Sequence, residues 1–301
     1  MLVARLFQGI GAAGPRVVSV AIVRDLFSGR DMAKVLSIVM MIFTLVPAIA
    51  PTLGVVIISF TGWRSIFAAF ITFSLISTIW LLMRLPETLA VEDRRPMRMR
   101  LMADAIRDMF THPIVRITIA VQTLAMAMLF SVLMLIQPIY AQVFDKLDTF
   151  PYWFGAVALV AAIASFLNAM LVVRFGMRRL VTLALVIQII LSGTLLALSR
   201  YVTESGFAVF LLWQAYIFFQ AGLTIGNLNA IAMEPMGHIA GMAASVIGAT
   251  ATVLAASIAS PVGLMFDGTI NPLMTAVFIM AIMALILMLY MRKLERRGAV
   301  A

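Results

Sequence analysis

Apolar residues run along this chain in blocks of about twenty, separated by short polar turns. Nine blocks stand out, over approximately 1–23, 35–60, 66–84, 114–140, 153–173, 180–199, 207–231, 241–266 and 273–291. Each approaches the roughly 20 residues that an α-helix needs to cross the hydrocarbon core of a bilayer. Between them lie "RDLFSGRDMAK", "TGWRS", the long segment 85–113, "DKLDTFP", "RFGMRR", "RYVTESG", "EPMGHIAG" and "DGTINP", and "RKLERRGAVA" closes the chain. Ten-residue alternating segments, which mark transmembrane strands, are missing from the pattern. The chain therefore reads as an all-α membrane protein with nine spanning helices. Its organisation is expected to be a helical unit over 1–84, a connector over 85–113 and a second helical unit over 114–301. Within the connector, Met99–Phe110 suits an amphipathic surface helix, and a solvated link is the plainer alternative.

Composition sharpens this. Hydrophobic residues make up 63% of the 301, charged residues 12%, and the mean hydropathy is +1.10, values outside the range of soluble domains. A net charge of +9 would suggest nucleic acid in a soluble protein. Here the cations flank apolar blocks and act as topology signals, so no nucleic-acid partner is expected. Sixteen Lys and Arg residues fall in one set of connections, from Arg24 through Arg178 and Arg179 to Arg297, against Arg64, Lys146 and Arg200 in the other. That bias places the first set, and the C-terminus, in the cytoplasm of a cell with a bacterial-type inner membrane. There are no cysteines, and the two histidines, His112 and His238, are too few and too far apart in sequence to suggest a metal site. No cofactor is expected.

The chain repeats itself. "FQGIG" at Phe7–Gly11 matches "FQAGL" at Phe219–Leu223, and "SGRDMA" at Ser28–Ala33 matches "MGHIAG" at Met236–Gly241. "APTLG" at Ala50–Gly54 matches "SPVGL" at Ser260–Leu264, and "FTGW" matches "FDGT". The offsets are 212 for Gln8 to Gln220, 208 for Gly29 to Gly237 and 210 for Pro51 to Pro261. Four ordered matches at nearly one offset imply a six-helix repeat. Its second copy is complete, and its first copy lacks three helices ahead of Met1. The expectation is a truncated twelve-helix protein or a start assigned too late.

These motifs resemble a family. The chain looks like helices 4 to 12 of a major facilitator superfamily transporter, a fold of two pseudo-twofold-related six-helix bundles. "RLFQGIGAA" resembles that superfamily's fourth-helix arginine motif, "PAIAPTLG" its fifth-helix antiporter motif, and "RFGMRR" the tail of its glycine–arginine loop motif. "AIVRDLFSGRDMAKVLSIVM" with "NLNAIAMEPMGHIAGMAASVIG" resembles the bicyclomycin and chloramphenicol resistance branch of drug:proton antiporters. The resemblance implies export of small lipophilic or amphipathic molecules in exchange for protons, by alternating access, from a protein expected to be a monomer in the bilayer.

Residue patterns suggest where such chemistry would sit. At 100° per residue, Arg16 lies about 20° around the first helix from Arg5, and Gln8, Gly9, Ala12 and Ser19 fall within about 60°. A guanidinium facing lipid at depth costs several kcal/mol, so this stripe should face protein or a polar cavity. The resemblance implies that Arg5 steers protonation of a nearby carboxylate; an interhelical clamp is the structural alternative, and Arg16 is also placed to snorkel. Pro47, Pro51 and Gly54 share a face of the second block, a bend that the resemblance assigns to gating and that is otherwise an ordinary kink. In the seventh block Gln220, Thr224 and Asn227 form one face, while Gly222 and Gly226 form a close-packing seam. Gln122, Gln137 and Tyr140 make a looser stripe on the fourth, and Asn168 stands alone on the fifth. For each amide a bond between helices is the plainer reading, and a cavity wall is the functional alternative. Asp25, Arg30, Gly176, Arg178, Arg179 and Glu234 are the loop-motif positions, with Asp25 and Glu234 expected to brace turns.

The 23 methionines and 20 phenylalanines suit a cavity for varied lipophilic compounds, though most must be core or lipid-facing. None of the thirteen acidic residues falls near a predicted midplane, whereas proton exchange needs a group that titrates in the cavity. In related antiporters that acid is often on the first helix, absent here. Alternative readings are a proton-coupled metabolite transporter or an inactive fragment. An intramembrane enzyme would need a nucleophile and base at depth, which the pattern does not supply.

Overall fold

A chain in hydrocarbon must satisfy its backbone N–H and C=O groups internally, and the apolar blocks do so as helices. The computed structural model of the protein describes residues 2–27, 53–60, 62–87, 106–107, 109–198 and 206–298, with positions 35, 46 and 50. The chain divides into two units, Met1–Arg98 and Met99–Ala301, at a boundary inside the expected connector.

In the first unit, α1 spans Leu2–Leu26 and α2 spans Arg64–Arg84, with further helix at 53–60. Pro15 lies within α1, where it removes one backbone donor. The turn before α2 depends on Gly62, whose φ of +82° is a left-handed conformation that favours glycine. Its carbonyl accepts the Ser65 hydroxyl at 2.7 Å, and Arg64 lies 4.6 Å from the Trp63 ring centre. Apolar side chains such as Phe73 and Leu82 are exposed on α2.

The second unit holds α3 (Pro113–Gln142), α4 (Phe150–Phe175), α5 (Met177–Ala197), α6 (Phe207–Met233), α7 (Ala240–Leu264) and α8 (Asn271–Gly298), with a 3₁₀ turn over Glu234–Ile239 between α6 and α7. Among the described residues six helices are long and apolar enough to cross a membrane: α2, α3, α5, α6, α7 and α8. Gly176, at φ +78° and ψ 153°, separates α4 from α5 in a conformation that excludes a side chain almost everywhere. Two boundaries differ from expectation. The tail "RKLERR" continues α8 instead of closing it, because Lys, Arg and Glu are good helix formers and cations suit a helix C-terminus. Met109, expected in the connector, is fully buried against Val115, Ile119, Ala232 and Met236, so the connector's end belongs to the second unit.

The packing follows a rule. Helix α3 packs on α6, α7 and α8; α6 packs on α3, α4 and α5; and α5 packs on α8. Exchanging α3 with α6, α4 with α7 and α5 with α8 leaves these pairings unchanged. Gln122, early in α3, meets Asn229, late in α6, and Tyr140, late in α3, meets Gln214, early in α6, so the exchanged inner helices run in opposite senses. The unit is thus two inverted three-helix repeats, with α3 and α6 innermost. Leu159, Ile163, Leu212, Val253, Ile279 and Ile286 stay exposed on the outside, a surface compatible with lipid and not with water.

Close approach between α5 and α8 rests on Gly193, where a Cβ would stand 3.0 Å from Phe278 Cε2. Gly193→Val is expected to wedge this contact and cost about 1–3 kcal/mol, read as earlier thermal unfolding in detergent, while Gly226→Ala, at a position with open space, leaves it nearly unchanged.

Candidate functional site

Polar side chains enter this apolar bundle mainly at α3, α5 and α6, and most find each other there. Gln122 Nε2 on α3 donates to Asn229 Oδ1 on α6 at 3.1 Å. Asn227 Nδ2 donates to Asn168 Oδ1 on α4 and to the Leu223 carbonyl, both at 2.7 Å. Tyr140 donates its hydroxyl to Gln214 Oε1 at 2.9 Å. Ser192 Oγ on α5 accepts from Gln188 Nε2 at 2.8 Å and from Trp213 Nε1 at 2.9 Å. With no water at this depth, an unmade bond costs more than it would at a surface.

The matching is incomplete. Gln122 Oε1, Thr123 Oγ1, Gln220 Oε1, Gln188 Oε1 and Gln214 Nε2 are buried without a hydrogen-bond partner among the described residues. Apart from Gln188, these residues lie on α3 or α6, the innermost helices. Each such atom costs about 1–3 kcal/mol relative to a satisfied one.

At one end of the unit lies a charged cluster. Arg178, in the first turn of α5, forms bonds of 2.7 Å through Nη2 to Glu234 Oε2 and through Nε to Glu295 Oε1. It thereby ties α5 to the 3₁₀ turn after α6 and to the last turns of α8. His112, capping α3, shares a cavity of about 760 Å³ with Pro113, Ile114, Arg178, Leu294 and Glu295. The opposite end is aromatic. Tyr140 meets Phe150 and Phe207 edge-on, each with ring centres 5.3 Å apart, and Lys146 Nζ stands 5.4 Å from the Phe207 ring centre. In the connection from α7 to α8 the Asp267 carboxylate accepts the Thr269 hydroxyl and N–H around Gly268. The hydroxyl bond is the main reason its pKa lies below the ordinary carboxylate value.

Several expected residues converge in these groups. Gln122 with Asn229, Asn168 with Asn227, and Arg178 with Glu234 are direct pairs, and Gln220 and Tyr140 are buried. Gln137 does not join them: it is exposed, although Gln122 and Tyr140 on the same helix are not. Arg179 and Gly176 are also exposed. The seam expected at Gly222 and Gly226 has no partner at Gly226, where a Cβ would meet nothing within 4 Å; the same holds at Gly9 and Gly54. Among the described residues no side chain or backbone therefore closes on Gly9, Gly54 or Gly226. Arg5, Arg16 and Asp25 fall in α1, but their side chains lie outside the described residues, as do Arg30, Pro47 and Pro51 altogether. Gln8 is exposed on α1. Among the described residues the carboxylates lie at helix ends or in connections, as expected.

Sequence reasoning placed Asn229 only on the face of Gly222 and Gly226, and passed over Glu295, Gln188, Ser192, Trp213 and Gln214. Gln214 sits six residues before Gln220 on an apolar helix, and Glu295 is the lone acid in a basic tail; those were the available signals.

Comparison with known proteins gives these features a context. The family model described as Major Facilitator Superfamily matches residues 1–260. A bicyclomycin resistance protein homolog of Haemophilus influenzae is 28% identical over 297 residues, covering 98% of this chain and 74% of that protein. The multidrug resistance protein MdtL of Shewanella oneidensis is 26% identical over 98% of this chain and 73% of its own length. An uncharacterized MFS-type transporter of Bacillus subtilis, YdgK, is 27% identical over 94% of this chain and 70% of its own. No solved structure matches the chain. A helical bundle with lipid-compatible flanks fits a membrane protein, and with a family match over most of its length the chain belongs to the Major Facilitator Superfamily.

Proposed function

We propose that the protein exports lipophilic and amphipathic small molecules, driven by proton entry, through alternating access across a bacterial-type inner membrane with its C-terminus in the cytoplasm. The observation that carries this reading is the set of buried, unpartnered polar atoms on α3 and α6. A bundle built for stability alone would lose little by replacing them with apolar groups. A bundle that must present hydrogen-bonding groups to a passing solute has reason to keep them. Relatives named for multidrug and bicyclomycin resistance support the substrate class, and the motif "RLFQGIGAA" supports a coupling role for Arg5 with Gln8 and Arg16 beside it. In this reading Pro47, Pro51 and Gly54 supply a bend that seals the path. The Arg178 cluster latches the ends of α5, α6 and α8 in one conformation.

Three outcomes test it. Arg5→Ala is expected to abolish pH-gradient-driven efflux across a panel of antibiotics and dyes in everted vesicles while the protein remains in the membrane; efflux at the native rate would remove Arg5 from the coupling. Gln220→Leu is expected to leave thermal stability unchanged or raise it by about 1 kcal/mol, since a buried orphan acceptor is removed, yet to cut efflux about tenfold, the weight of one hydrogen bond. A loss of stability with efflux intact would make Gln220 structural. Arg178→Ala is expected to cost only about 1 kcal/mol, because the pairs are partly exposed, and to open the end of the unit. The chain has no cysteine, so maleimide labelling of Leu294→Cys reads that opening directly. Labelling should rise several-fold in the Arg178→Ala background, and Arg178→Lys should not restore it, since one ammonium cannot reproduce a two-sided fork.

A further inference from the structure

At the end of the second unit that carries the C-terminus, α4, α5 and α8 enclose a cleft of about 660 Å³. Its floor is apolar, with Phe175, Leu183, Val186 and Met288 among the lining residues, and its rim carries Arg178, Arg179, Arg292 and Arg296 against the single carboxylate of Glu295. That carboxylate already accepts from Arg178, whose other bonds go to Glu234. Arg179, Arg292 and Arg296 are all exposed, and no described carboxylate lies within ion-pair distance of them. Arg292 and Arg296 are four residues apart and so share one face of α8, and Arg179 stands in the first turn of α5.

We propose that this cleft is a binding site for an anionic phospholipid. Three properties select that ligand. Guanidinium groups match phosphate oxygens in a bidentate fork, and three of them here have no counter-charge among the described residues. They stand at the ends of spanning helices, the depth at which lipid headgroups lie. The floor below them is continuous with the lipid-compatible surface, Leu183 being 56% exposed and Phe175 44%, so an acyl chain can follow the headgroup in. A free phosphate would use the rim and leave the apolar floor wet. A zwitterionic lipid would bring a cation to a site already rich in them. The site lies apart from the amides of α3 and α6, and it stands whether or not the protein exports drugs.

The test uses the full 301-residue chain purified in a mild nonionic detergent, with lipid added from mixed micelles and retention read by native mass spectrometry. Phosphatidylglycerol is expected to be retained over phosphatidylcholine, and the preference to fall by roughly fivefold for each of Arg292→Gln and Arg296→Gln. Lys146→Gln, which removes the same charge at the opposite end, should leave it unchanged. Inorganic phosphate should not displace the lipid. Equal retention of both lipids, an equal loss in Lys146→Gln, or displacement by phosphate would overturn the assignment. So would a shift from dimer to monomer in the arginine variants, which would make the face a contact between copies. Fluorescence gives a second readout that leaves every arginine in place. Leu183→Trp should be quenched by brominated phosphatidylglycerol at mole fractions where brominated phosphatidylcholine has little effect, and identical quenching by the two would refute the site.

Discussion

Polar groups in hydrocarbon have no water to fall back on, and this constraint orders the second unit from its centre outward. Between helices surrounded by lipid, burial of apolar surface supplies little net drive, because lipid tails are as apolar as the side chains they replace. What holds the helices in one arrangement is close packing and the pairing of the few groups that lipid cannot accept. Tyr140 with Gln214, Gln122 with Asn229, and Ser192 with Trp213 each join residues on different helices, brought together by packing. Moving any helix by one turn would break such a pair and strand both partners. The pairs therefore fix register in a bundle whose apolar contacts alone would tolerate several.

The same constraint sends charge to the ends. Arg178, Glu234 and Glu295 come from three elements that terminate together, and their bonds of 2.7 Å are made where solvent still screens them. Partial exposure keeps each link weak enough to break without unfolding anything. That property suits a latch better than a foundation. The 3₁₀ turn that presents Glu234 contains Met236 in non-helical geometry while burying its side chain, so the carboxylate's position is fixed by packing behind it. By contrast, Arg179, Arg292 and Arg296 of the neighbouring cleft have no counter-charge among the described residues, and the proposed lipid would supply it.

Helix positions were legible in the sequence because spanning segments must be apolar along their whole length, and the described helices fall close to the blocks read from it. The family was legible from local motifs around Arg5, Pro51 and Arg178. Partner identities were not. Glycine spacing pointed to Gly222 and Gly226 as a packing seam, and gave no sign of the tight approach at Gly193 against Phe278. Spacing within one helix says which residues share a face and nothing about what that face meets. Glu295 was hidden for a related reason: in "RKLERR" it reads as one charge among many, and only the fold brings it to Arg178. Within the stripe of Gln122, Gln137 and Tyr140, Gln137 is exposed while the other two are buried, because 100° per residue spreads such a stripe wide enough to cross from the core to the surface of the unit.

The inverted repeat adds a constraint of its own. With α3 and α6 exchanged, each inner helix meets the equivalent set of neighbours in the opposite sense, so each contributes equivalent faces to the two ends of the unit. Each also carries a buried glutamine, Gln122 or Gln220, whose Oε1 has no donor. An unpartnered acceptor on one helix alone would be a local imperfection of packing. One on each member of an exchanged pair is harder to assign to chance, because the two sit in different surroundings and repacking could have removed either independently. The cost of keeping both is set against a benefit that must involve both helices together. Under the proposed function that benefit is a polar solute or a proton donor passing between them.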